Sequence, residues 1–88
     1  MFQFQAIQTN QVTVTGSATQ IVPAYSSRSG IVIVNTGATT VYIGETAAVT
    51  TATGFPVIAG TSVSFSTTGA VYGITSGGSC VCGFLETN

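Results

Sequence analysis

Charge is what this sequence has least of. Only Arg28, Glu45 and Glu86 among 88 residues are charged, 3% of the chain, against about a quarter in an ordinary soluble protein. His, Asp and Lys are absent altogether, so most general acid–base pairs and triads lose their parts. A single arginine is too little cationic charge to displace the counterions of a nucleic acid, which excludes that partner. Long apolar runs are missing as well: the longest aliphatic stretch is Ile31-Val32-Ile33-Val34, far short of the ~20 residues that span a bilayer. Residues 1–6 carry neither a basic region nor an apolar one, so they do not read as a secretory signal, and synthesis is expected to end in the cytosol.

What is present is Ser, Thr, Gln and Asn, together with 44% apolar residues. Uncharged polar groups keep a surface wet, yet a partner covers them at a smaller desolvation cost than ions. Interface cores are depleted in charge in the same way. A chain of this length supports a single domain with one modest core, burying roughly 60–65% of the surface that its unfolded form exposes. Standing alone it is marginal, and partners would stabilise it.

Helix formers are scarce and no window repeats apolar residues at helical spacing, whereas short alternating or aliphatic runs recur between turn residues. Residues 2–8 alternate Phe2, Gln3, Phe4, Gln5 and then reach Ile7. They read either as a first strand or, within residues 1–10, as an extended arm toward a neighbour. Strands follow over residues 12–15, 20–22, 31–34, 41–44, 55–58, 62–66, 70–74 and 79–85. The pairs 31–34/41–44 and 70–74/79–85 read as two similar hairpins, joined by Asn35-Thr36-Gly37-Ala38-Thr39 and by a turn around Ser76-Gly77-Gly78. Strict alternation in residues 62–66 turns Val63 and Phe65 inward and the serines out. The expected fold is all-β: a small β-sandwich or β-barrel-like domain of about eight short, mainly antiparallel strands. Its edges carry none of the usual lysine or inward-charge guards, so something must cover them.

Few residues are left to carry chemistry. Glu45 and Glu86 each follow an apolar strand, which makes them either solvated strand-end carboxylates or, if they meet in space, a glycosidase-like pair. Cys80 and Cys82, two apart in a strand, lie on one face with Cα atoms roughly 6.5–7 Å apart. That is at or past the limit for a disulfide between them, and two thiols are too few for a zinc site. They read as buried small apolar side chains or as an interchain disulfide to a neighbouring subunit outside the reducing cytosol. No cofactor or metal is expected. Arg28 is either a solvated loop residue or the one charged anchor of a neutral interface. Tyr25, Tyr42 and Tyr72 are the only tyrosines, available for packing at an interface or for stacking on a sugar.

The order of pieces from Gly30 onward carries a resemblance. Ile31-Val32-Ile33-Val34-Asn35-Thr36-Gly37 is followed by Val41-Tyr42-Ile43-Gly44, Val49-Thr50, Gly54-Phe55-Pro56-Val57 and Ala59-Gly60. Gly69-Ala70-Val71-Tyr72-Gly73-Ile74 and a closing strand that ends in Glu86 complete it. This arrangement resembles the small β-proteins of tailed-bacteriophage particles, and is most similar to head decoration (cement) proteins. The resemblance implies a non-enzymatic virion subunit on the capsid surface, often a homotrimer, whose partner is the major capsid protein and which locks neighbouring shell subunits together. Phe2, Phe4, Ile7, Tyr25 and Arg28 are then the candidate contact residues. A head-fibre or tail-associated subunit and a glycan-binding host-attachment module are the alternatives.

Overall fold

A computed structural model describes residues 7–87 of the chain. Eight strands appear in order: β1 (Ile7–Val14), β2 (Thr19–Val22), β3 (Gly30–Asn35), β4 (Val41–Gly44), β5 (Phe55–Val57), β6 (Ser62–Phe65), β7 (Val71–Ile74) and β8 (Cys80–Thr87). They form two four-stranded sheets, one in the order β1-β8-β3-β6 and the other β2-β7-β4-β5. Every pairing is antiparallel. The sequence expectation of a small all-β sandwich of about eight strands therefore holds.

The pairing has a simple logic. β1 pairs with β8, β2 with β7, β3 with β6 and β4 with β5, as in one long hairpin whose tip is the β4–β5 connection. That hairpin is rolled up so that β3 also meets β8 and β4 also meets β7. This is the strand order of a jelly roll. Six of the seven connections consequently cross from one sheet to the other, and only β4–β5 stays within a sheet.

Both expected hairpins are corrected by this topology. β3 and β4 lie in different sheets, and so do β7 and β8. Residues 36–40 and 75–79 are arches over the edge of the core. Alternation reveals which side chains of a strand face inward, and it carries no information on which sheet the strand joins.

The two inner faces make one core. Val14, Ile31, Ile33, Cys80 and Cys82 meet Ile21, Val22, Val41, Ile43, Val57 and Val71, with Val63, Phe65 and Phe84 packed against them. The inward placement of Val63 and Phe65 agrees with the alternation of residues 62–66; both are half-buried and Ser62, Ser64 and Ser66 are exposed. Ile21 and Val22 are consecutive yet both buried, because a register shift between Gln20 and Val22 interrupts the alternation. Gly73 faces inward where a Cβ would stand 2.7 Å from Ile21 Cδ1 and 3.0 Å from Val41 Cγ1. The missing side chain leaves room for the side chains of the two flanking strands, β2 and β4, to meet over β7.

Hydroxyl and amide side chains shape the arches. In four of the six crossings a side-chain oxygen accepts from the backbone N–H two residues on: Thr15 from Ser17, Asn35 from Gly37, Thr67 from Gly69 and Thr75 from Gly77. Such turns need no charge, which gives the abundant Thr and Ser a structural role.

Candidate functional site

Each end of the sandwich is closed by a buried polar residue. At one end Arg28, 5% exposed, turns inward from the β2–β3 crossing. Its Nε donates to Glu86 Oε1 at 2.7 Å. Nη1 donates to the carbonyls of Thr67 and Gly69 at 2.8 and 2.9 Å, and Nη2 to that of Pro23. One guanidinium thus ties β8 to two loops that cross between the sheets. A lysine, with a single compact ammonium, does not present such a planar fork. Tyr25 N–H donates to the Thr68 carbonyl in the same cluster. Both earlier readings of Arg28, solvated loop residue and exposed interface anchor, are corrected: the guanidinium is consumed inside the fold. Glu86, also 5% exposed, is likewise no solvated strand-end carboxylate. Its engagement with Arg28 leaves Glu45, which is exposed, without a carboxylate partner of the glycosidase kind.

At the other end Asn35 is fully buried and fully engaged. Its Nδ2 donates to the carbonyls of Thr39 and Val57 at 2.7 and 2.8 Å. Oδ1 accepts from Gly37 N–H at 2.9 Å and from the Cys80 thiol at 3.0 Å. Its backbone N–H donates to the Thr61 carbonyl, while its own carbonyl accepts from Gly60 N–H. Gly37 is required by this crowding, since a Cβ there would fall 2.3 Å from Cys80 Sγ.

Cys80 and Cys82 are free thiols, both buried. Burial, with the Cys80 thiol adding to it, pushes the Cys82 thiol up to about 11. Of the two readings of these residues the structure matches buried small side chains. Both sulfurs are buried in the core, so an interchain disulfide would require β8 to open first.

With Arg28 and Glu86 paired inside, Glu45 is the one charged side chain exposed among the described residues. The surface that remains is neutral and partly aliphatic. On the outer face of the first sheet Val32 lies opposite Leu85, and Val34 opposite Gly83. Thr9 and Gln11 flank them on β1, and Ser62 and Ser64 on β6. Val32 and Leu85 are exposed. Tyr42 and Tyr72 are half-buried on the outer face of the second sheet, and Tyr25 is exposed in the loop after β2.

The edges differ in their protection. Pro56 sits in edge strand β5, where it has no N–H to offer a further strand, and the register shift marks edge strand β2. β1 and β6 carry neither proline nor charge. Between the β5 and β6 edges the sheets part, leaving a groove of about 370 Å³. Ile43, Phe55, Val63, Phe65, Ala70 and Val71 provide its apolar walls, and Glu45 and Thr67 its polar rim. Phe55 is 58% exposed there.

Among the candidate contact residues, Ile7 opens β1 and is 65% exposed. Phe2 and Phe4 lie outside the described residues. The groove and the Asn35 cluster were not singled out from the sequence. The signal for the latter is a polar residue at the end of an aliphatic strand with glycine two positions on, as in Asn35-Thr36-Gly37 and Thr75-Ser76-Gly77. No family model matches this chain, and no curated protein matches it.

Proposed function

We propose that this chain is a structural subunit that works by packing against other proteins, of the kind that decorates a virus shell. In that role it binds the major capsid protein on the outer surface of the particle, as an oligomer such as a trimer, and stabilises the contacts between shell subunits. The observation that carries this reading is the exterior almost empty of ions. The one cation is spent on an internal carboxylate, so apart from Glu45 the described outside consists of uncharged polar, aliphatic and a few aromatic groups. Such a surface loses little on being covered, and it forgoes the charge by which free-living small domains stay apart. Exposed Val32, Leu85, Phe55 and Ile58 add apolar area for contact. Jelly rolls include virus shell subunits, lectins and cupins. That analogy is compatible with the reading and does not by itself select a function.

A subunit of this type binds the assembled lattice in preference to dissociated shell protein and stabilises it by mass action. Its attachment is expected to ignore ionic strength, since neutral contacts have nothing to screen. The test is co-sedimentation of the purified protein with shells that lack it, from low salt to about 1 M, where the Debye length is ~3 Å. Retention throughout, at hundreds of copies per particle, is the expected result. Release by salt would overturn the neutral-contact mechanism, and a handful of copies would point to a fibre or tail position.

A further inference from the structure

We propose that the groove between β5 and β6 is the receptor for the N-terminal segment of a second copy of this chain, residues 1–6, with Phe2 and Phe4 as the inserting side chains. The inference concerns how copies join one another and stands whatever they attach to.

Three observations point the same way. The groove is the opening through which the core reaches solvent beside an unguarded edge: among the described residues β6 pairs with β3 alone. Its free edge offers unpaired N–H and C=O groups, and an added strand there would lay alternate side chains between the sheets. The walls are apolar, from Ile43, Phe55, Val63, Phe65, Ala70 and Val71. An occupant that alternates large apolar and uncharged polar residues is what such a site takes.

The segment ahead of β1 has that pattern. Phe2 and Phe4 are two apart, so in an extended strand they fall on one side with Gln3 and Gln5 on the other. Ring insertion places the glutamines toward solvent. No other stretch of the sequence alternates phenylalanine with a polar residue in this way.

Geometry selects a second copy over the segment's own groove. Ile7 pairs with Thr87, and Thr87 with Gly30, at the end of the first sheet where Phe65 lies opposite Ile31. The start of β1 and the groove are therefore at the same end of the sheet but at opposite edges, three strand spacings or about 14 Å apart. Returning to its own groove would require the chain to reverse at the start of β1. Residues 1–8 contain no Gly, Pro, Asn, Asp or Ser with which to turn. Six residues in extended conformation span about 20 Å, far enough to lie along a neighbour's edge strand.

Sedimentation velocity over a range of concentrations tests this on three full-length proteins: the wild type, the double variant F2Q/F4Q, and Phe55→Glu. Phe55 is mostly exposed, so its replacement leaves the core intact while setting a second carboxylate in the groove beside Glu45. Expected are concentration-dependent association of the wild type and weakening by roughly 30-fold or more in each variant, with all three melting at similar temperatures once diluted to monomers. A labelled peptide of residues 1–8 should bind F2Q/F4Q, and fail to bind it once Phe55→Glu is added. A wild type that stays monomeric, or a peptide that binds equally well with Phe55→Glu present, would overturn the proposal. So would a loss of thermal stability in F2Q/F4Q relative to the wild type when both are dilute monomers, because the phenylalanines would then belong to the chain's own core.

Discussion

The two ends of the sandwich solve one problem in opposite ways. Chain that crosses between sheets brings backbone carbonyls and N–H groups to the rim of the core, where they need partners away from water. At the β2–β3 end the solution is ionic: Arg28 gathers three carbonyls and neutralises itself on Glu86. At the Asn35 end it is neutral, one amide serving two carbonyls, an N–H and a thiol. The ionic plug reaches more of the chain, but each member depends on the other, since a buried charge without its counterpart is costly. The neutral plug divides its contribution among several bonds of about 1 kcal/mol each.

That difference can be broken experimentally. Replacing Arg28 by Met leaves Glu86 buried without its cation, and a loss of about 3–5 kcal/mol is expected. In a domain this small that amounts to unfolding, visible as lost β-sheet ellipticity at room temperature. Adding Glu86→Leu to Arg28→Met should recover a large part of the loss. No recovery would mean that the carbonyl contacts, and not the ion pair, carry the plug.

Asn35→Ala probes the neutral end. It removes four side-chain hydrogen bonds, the one from the thiol being weak, and should cost about 3 kcal/mol by urea denaturation, at the low end of the range for Arg28→Met. A cost equal to or above that of the arginine variant would reverse the ranking of the two plugs.

The thiols give the smallest effect. A folded-state pKa for Cys82 raised to about 11 means that the native state holds this proton more tightly than the unfolded chain does. The associated stability is fully present below the ordinary thiol range and is lost as pH rises from about 9 to about 11. A decline on the order of 2 kcal/mol is expected across that window, and Cys82→Ala should flatten it. At neutral pH both cysteines should resist alkylation in the native protein and react at once in denaturant.

Much of this architecture was legible in the sequence, and particular residues show where legibility stopped. Strict alternation in Ser62-Val63-Ser64-Phe65 and the aliphatic run from Ile31 to Val34 marked strands, because side-chain direction repeats every two residues and burial selects the apolar side. Partnership was another matter. A linker of five residues after β3 is long enough for a hairpin and equally long enough to cross over the core. Crossing is favoured because Asn35 ends its strand with an inward amide that turns the chain under Gly37. The burial of Arg28 is hidden for a related reason: a lone arginine in a Ser-rich loop looks solvated until Glu86, 58 residues away, is brought alongside. The groove was invisible, being made by Phe55, Phe65 and Val71 from strands that are neighbours only once the roll has formed.

The pairing of β1 with β8 also governs the order of events at birth. Of the eight strands a ribosome releases β1 first, yet its partner β8 is made only after the other six, and shorter delays apply to β2 with β7 and β3 with β6. Among the described residues β4–β5 is the one pairing between consecutive strands, and every other pairing joins more distant residues, a topology whose folding is slow, on the order of milliseconds to seconds. Through that interval the nascent strands are neutral, sticky and incomplete. Crowded synthesis of many copies would then risk tangling before the first sheet is sealed, which makes translation rate and chaperone supply part of how this protein reaches its shape.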